Sequence, residues 1–264
     1  NGVLEFAGDK PQLLTVPTTG FSPSTTASPT GVVISVDNPE GVQLRGGDLV
    51  MDTASETMRF VTGAFDTASR GTSLTLYHLD GDNQGFVQVN GGVWGDVSKE
   101  VVNNNLPGIP PIANRLEYPL CTVDCAALRT LAVTFNDPAQ VGPGRTGVFA
   151  TARHFATSPG GQAGLPVQTT DREGNPLTIT RFPDFHWSLS TNVVVSLIDY
   201  DVEMRADGFG EFAVENIGRT VGLSREAGTS SAWNLLGTGP ASYGNLQDGA
   251  GNPTEIARDH IFLL

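Results

Sequence analysis

Glu56-Thr57-Met58-Arg59-Phe60-Val61 is where the chain chooses between helix and strand. Thr53-Ala54-Ser55-Glu56, just ahead of it, has the spacing of a helix capping box. The residues that follow do not wind. Met58 and Phe60 fall on one side, and Thr57, Arg59 and Val61 on the other. A period of two with β-branched and aromatic side chains is the signature of a half-buried strand.

The same rhythm recurs on both sides. Val32-Val33-Ile34-Ser35-Val36, Thr72-Ser73-Leu74-Thr75-Leu76-Tyr77 and Phe86-Val87-Gln88-Val89 are short apolar runs closed by turn residues. A second series covers residues 129–135, 148–155, 177–182 and 187–205. Between the two series, Asn103-Asn104-Asn105-Leu106-Pro107-Gly108-Ile109-Pro110-Pro111 breaks any regular element, and residues 103–119 read as a connection. Helical candidates are few: Asp96 to Val102, behind an Asp cap, and a single turn at Asp124 to Leu128. No fixed internal period is visible. The expected fold is all-β, a β-sandwich or jelly roll with little helix. Its parts would be an N-terminal arm (1–21), a Ser/Thr/Pro spacer (22–31) and a body (32–264), with possible halves 32–102 and 115–264.

Composition narrows the function. The chain has 264 residues, 28 acidic and 15 basic, for a net charge of −13. A chain so acidic repels phosphate, so direct contact with nucleic acid is not expected. Charged residues make up 16% and hydrophobic ones 39%, which is enough apolar material for a core. No run approaches the length of a membrane-spanning helix. The 32 glycines and 17 prolines punctuate short strands. The expected location is extracellular or in a virion, reached by export or proteolytic maturation. Cys121 and Cys125 are the two cysteines, and their spacing leaves a short-loop disulfide and two free thiols both open. Zinc is disfavoured because no second pair of ligands is near.

One hairpin offers candidate chemistry. Ile198, Tyr200, Val202 and Met204 share a face, and Asp199, Asp201, Glu203 and Arg205 share the other. A three-residue loop at Asp207-Gly208-Phe209 matches the faces of both strands, and it sets Asp201 opposite Glu215. Opposed carboxylates invite a hard cation, so Asp199, Asp201, Glu203 and Glu215 are candidate Ca²⁺ ligands. Two carboxylates about 5 Å apart also suit a retaining glycosidase, with Asp201 and Glu215 as acid and nucleophile. A wet, screened outer face explains the same acids without any ligand. Asp80 and Asp82 begin a calcium-loop pattern that fails at Gly91, where a bidentate Glu belongs. His186 and Trp187 are candidates for a sugar-binding groove, although an ordinary strand start is the stronger account of them.

No nucleophile elbow, phosphate loop or dinucleotide fingerprint occurs. The expected function is therefore a non-enzymatic structural subunit of a self-assembling extracellular or virion assembly: capsid, coat or filament. Copies would join by strand or arm exchange through Val3, Leu4 and Phe6 and through Ile261, Phe262 and Leu263. The alternative is a secreted carbohydrate-active β-sandwich, either a glycoside hydrolase or a glycan-binding module. Its partner would be a glycan, whereas the assembly reading makes the partner another copy. No cofactor is expected apart from the candidate Ca²⁺.

Overall fold

The computed structural model describes residues 2–22, 31–77, 84–101, 114–135, 147–192, 200–204, 222–226 and 230–235, except positions 52, 54, 172 and 183. The fold is all-β. The chain divides into two compact units, residues 1–154 with 189–202, and residues 155–188 with those from 203 onward.

The first unit begins with strands β1 (Gly2–Ala7), β2 (Gln12–Thr15), β3 (Val32–Asp37), β4 (Val42–Arg45), β5 (Leu49–Met51) and β6 (Thr57–Thr62). It continues through β7 (Ala64–Asp66), β8 (Ser73–Leu76), β9 (Phe86–Gln88), β10 (Gly92–Trp94) and β11 (Asp96–Glu100). Neighbours in space are not neighbours in sequence. One face is the four-stranded order β1-β3-β6-β9, a second is β10-β7-β4-β2, and a third contains β11-β8-β5. Every pair among these strands is parallel. The chain therefore winds as a three-faced parallel β-helix, each rung laying one short strand on each face. Phe21 closes the first rung by a parallel bridge to Leu49.

A sandwich or jelly roll is built from antiparallel strands, and the strands of residues 2–100 pair with one another in parallel. The free arm expected over residues 1–21 is likewise absent from the described residues. β1 lies in register on β3, with Leu4 opposite Ile34 and Phe6 opposite Val36, and β2 lies on β4. Parallel stacking in register puts like positions in rows. Ile34 meets Met58, Val36 meets Phe60, Val42 meets Phe65, and Leu49 and Val97 flank Leu74. All of these side chains are buried. Burying one such side chain is worth about 1.5–3 kcal/mol, so the rows form the core of this unit.

Tight corners let the rungs stack. Gly63 alone separates β6 from β7, at φ +75°, and a Cβ there would lie 1.8 Å from the Asn38 carbonyl oxygen of the rung before. Asn38 is itself buried and donates from Nδ2 to the Lys10 carbonyl and to Gln12 Oε1, both at 2.8 Å. One side chain thus ties two rungs.

Asp96 to Val102 was expected to be helical, yet residues 96–100 form β11. Val97 and Lys99 point inward and Asp96, Ser98 and Glu100 are half-buried, an alternation only a strand produces. The capping-box look-alike keeps one of its bonds without a helix, since Thr53 N–H donates to Glu56 Oε2 at 3.1 Å. Beyond β11 come β12 (Asn114–Tyr118), β13 (Leu131–Phe135) and β14 (Phe149–Phe155). β12 falls inside the stretch read as a connection, and it pairs antiparallel with β13. β14 pairs antiparallel with β11.

The second unit has the antiparallel hairpin β15 (Val167–Thr170) and β16 (Pro176–Ile179). Across the division run β17 (His186–Thr191) and β18 (Tyr200–Met204), and β19 (Leu223–Ser224) pairs with β20 (Asn234–Leu235). Its core gathers Leu177, Leu223 and Trp233 with Phe182, Phe185 and Leu235 packed around them. Arg225 caps the Trp233 ring at 4.5 Å and donates to the Pro159 and Gly160 carbonyls. Among the described residues, no helix is long and apolar enough to cross a membrane.

Candidate functional site

Two places in the first unit carry side chains that its core does not use. The first is the opening rung. Leu4 occupies an inward position of the row Leu4–Ile34–Met58, yet it is 45% exposed, against 3% and 0% for the next two. Val3, Leu13 and Phe21 on the same rung are exposed as well. No strand among the described residues pairs with the outer edge of β1. Phe6, expected as an assembly residue beside Val3 and Leu4, is instead buried over Val36.

The far end is covered on two of the three faces, while the first ends at β9. On the second face, Val93 N–H donates to the Pro119 carbonyl and Cys121 N–H to the Val93 carbonyl, so residues 119–121 cover β10. On the third face β14 covers β11.

The second place is the outer surface of the second face. Val42, Leu44 and Phe65 point into the core, so Gln43, Arg45 and Asp66 point out. Register then builds an outer row across four rungs: Leu13 beside Gln43, Gln43 beside Asp66, Asp66 beside Trp94. Neighbouring strands are about 4.8 Å apart, so the row offers one side chain per rung at that spacing. Gln43 Nε2 donates to Asp66 Oδ2 at 3.1 Å, and Arg45 Nε donates to Gln43 Oε1 at 2.8 Å. Ser69 N–H, in the 3-10 turn Ala68–Arg70, donates to Asp66 Oδ1 at 2.9 Å. Both carboxylate oxygens are therefore held. Trp94 packs against the cluster of Ala64, Cys121 and Cys125. These cysteines are joined as a disulfide, which settles the pair the spacing left open. The row floors a groove of about 340 Å³ whose walls include Glu40 and Val123.

The residues singled out from sequence lie elsewhere. Trp187 is 2% exposed and meets Phe185 edge-on at 5.5 Å, so its ring is not a platform for a sugar. His186, its neighbour on β17, stacks on Phe155 at 4.7 Å, and its Nδ1 lies 3.0 Å from the Thr157 carbonyl oxygen. Burial lowers the His186 pKa below the usual histidine value, against the pull of that carbonyl, and Arg225 lowers it further. Asp201 and Glu203 lie on β18. Asp199, Glu215, Asp80, Asp82, Ile261, Phe262 and Leu263 lie outside the described residues, as does the loop of the expected hairpin. Among the described residues, no group of three or more His, Cys, Asp or Glu side chains could hold a metal ion.

Sequence reading missed Gln43, Arg45, Asp66 and Trp94. Gln43 and Arg45 alternate with Val42 and Leu44 on β4, but Asp66 and Trp94 lie on strands of three residues, and only the register brings the four together. Compared with protein-family models, curated proteins and solved structures, the chain matches none.

Proposed function

We propose that the protein is a structural subunit of an extracellular or virion assembly, and that copies join through their first rungs. The observation that carries this reading is the core row that ends uncovered at Leu4, with Val3, Leu13 and Phe21 exposed around it. A parallel sheet edge with apolar side chains gains hydrogen bonds and apolar burial when a second edge docks on it. Because the far ends of the second and third faces are covered by residues 119–121 and by β14, head-to-tail stacking has no continuous partner surface. The contact is therefore first rung to first rung, a two-fold joint that closes on itself. Docking of whole edges takes the place of the arm exchange suggested by the sequence.

The test is the mass in solution of the whole chain and of the double variant Val3→Lys with Phe21→Lys. A pair that dissociates in the variant, with the far-ultraviolet spectrum unchanged, is the expected result. A wild-type chain that stays monomeric at every concentration reached, or a variant that still pairs, overturns the proposal.

A further inference from the structure

We infer that the groove on the second face binds a neutral oligosaccharide, with Trp94 as the stacking surface and the Arg45–Gln43–Asp66 chain as the hydroxyl-reading edge. The site touches the first-rung contact only at Leu13, and its polar and aromatic groups on the later rungs stand without that contact.

The floor of the groove is neither greasy nor uniformly charged. It runs along the row from Leu13 through an amide and a carboxylate to an indole, with a guanidinium beside the amide. A purely apolar ligand would strand the Gln43 and Asp66 polar atoms. A polyanion would meet Asp66 and Glu40 in the groove and a chain of net charge −13. A sugar ring offers what the row lacks. Its C–H face packs on an aromatic ring, and its hydroxyls both donate and accept.

The side chains are also arranged beforehand. Asp66 is fixed by Ser69 N–H on one oxygen and by Gln43 on the other, and carboxylate oxygens accept more than one bond. Gln43 uses one N–H on Asp66 and one lone pair on Arg45. Its second N–H and second lone pair are the donor and acceptor that a pair of adjacent hydroxyls requires. Arg45 commits its Nε–H to Gln43, and the terminal amino groups of its guanidinium add donors at the same edge. Because these groups are held by rigid strands and by each other, little side-chain entropy remains to be lost on binding. The spacing of the rungs presents a new side chain about every 4.8 Å, a step comparable with the length of one sugar unit, so a linear chain would lie across the rungs.

The experiment is titration calorimetry of the whole chain against a panel of neutral oligosaccharides: β-linked glucose, xylose and mannose, α-linked glucose, and N-acetylglucosamine oligomers. At least one member should bind. Gln43→Ala should weaken that binding about tenfold or more, and Trp94→Ala should do so by at least as much. Trp94 also packs on the disulfide cluster, so Trp94→Phe serves as the variant that keeps a ring and should retain most of the affinity. Val3→Lys with Phe21→Lys, which alters only the first rung, should bind as the wild type does. A panel with no binder overturns the inference, and so does binding that Gln43→Ala and Trp94→Ala leave unchanged.

Discussion

The Lys99 side chain donates to Gln84 twice, to its backbone carbonyl at 2.7 Å and to its Oε1 at 2.8 Å. Lys99 is fully buried at an inward position beside Leu76, which itself pairs with Met51, and its ammonium lies 5.0 Å from the centre of the Phe86 ring. Burial drives its pKa well below 10.5, opposed by the carboxylate of Glu117. A base whose pKa is lower when folded binds fewer protons in the fold than in the unfolded chain. Stability therefore rises with pH from that lowered pKa up to 10.5. Tyr118 works against this at the alkaline end. Its buried hydroxyl donates to the Ala150 carbonyl, and burial raises its pKa, so the unfolded chain ionises first and stability falls as pH passes 10.0. Denaturant unfolding of wild type and Lys99→Met separates the two: the gain in stability on raising pH from neutral should vanish in the variant. A variant with the same pH dependence as wild type would refute the assignment.

His186 gives the acid-side counterpart. Its pKa is lowered from 6.5, chiefly by burial. On acidification the unfolded chain takes up a proton near 6.5 while the folded one does not, so stability should drop as pH falls through that value and level off below the folded pKa. His186→Phe preserves the stacking on Phe155 and should flatten this part of the melting-temperature profile, while wild type loses stability there.

Nine of the twenty strands among the described residues were legible, and their arrangement was not. The alternation of Met58 and Phe60, of Leu74 and Leu76, and of residues 149–155 marks an inward face whatever that face packs against. Strand pairing depends on what happens at the corners. Gly2 pairs with Val32, Val33 with Thr57 and Met58 with Phe86, offsets of 30, 24 and 28 residues. Corners of unequal length erase the fixed period that would have announced a β-helix. The three-residue strands β5, β7 and β10 are too short to show alternation at all. The groove shared that fate, because Gln43, Asp66 and Trp94 are ordinary residues until parallel register aligns them. Trp187 drew notice as an aromatic beside a histidine, but adjacent residues of a strand face opposite ways, and its ring is buried.

Corner glycines should be more sensitive than their exposure suggests. At Gly63 a methyl group would meet the Asn38 carbonyl, which cannot retreat without moving a strand end, and the positive φ adds strain of its own. Gly63→Ala should cost more than about 1 kcal/mol in denaturant unfolding. Gly174→Ala, also at positive φ but with open space around the added carbon, separates the two effects and should cost less.

The disulfide should matter to the groove as well as to stability. Cys121 and Cys125 enclose a short loop, and the chain-entropy model gives about 2 kcal/mol for closing one of this size. Cys121 continues the second face through its bond to Val93, and Trp94 packs on the same cluster. Cys121→Ala with Cys125→Ala should lower unfolding free energy by roughly 2 kcal/mol while β10 keeps its pairing to β7. The indole then loses one wall of its pocket, so any oligosaccharide captured by the wild type should bind more weakly to the double variant. Arg115→Ala, which removes a half-buried ion pair to Glu117 outside the groove, should leave that affinity unchanged. Equal affinity in the double cysteine variant and wild type would detach the bridge from the groove, leaving it a purely structural clamp on the end of the second face.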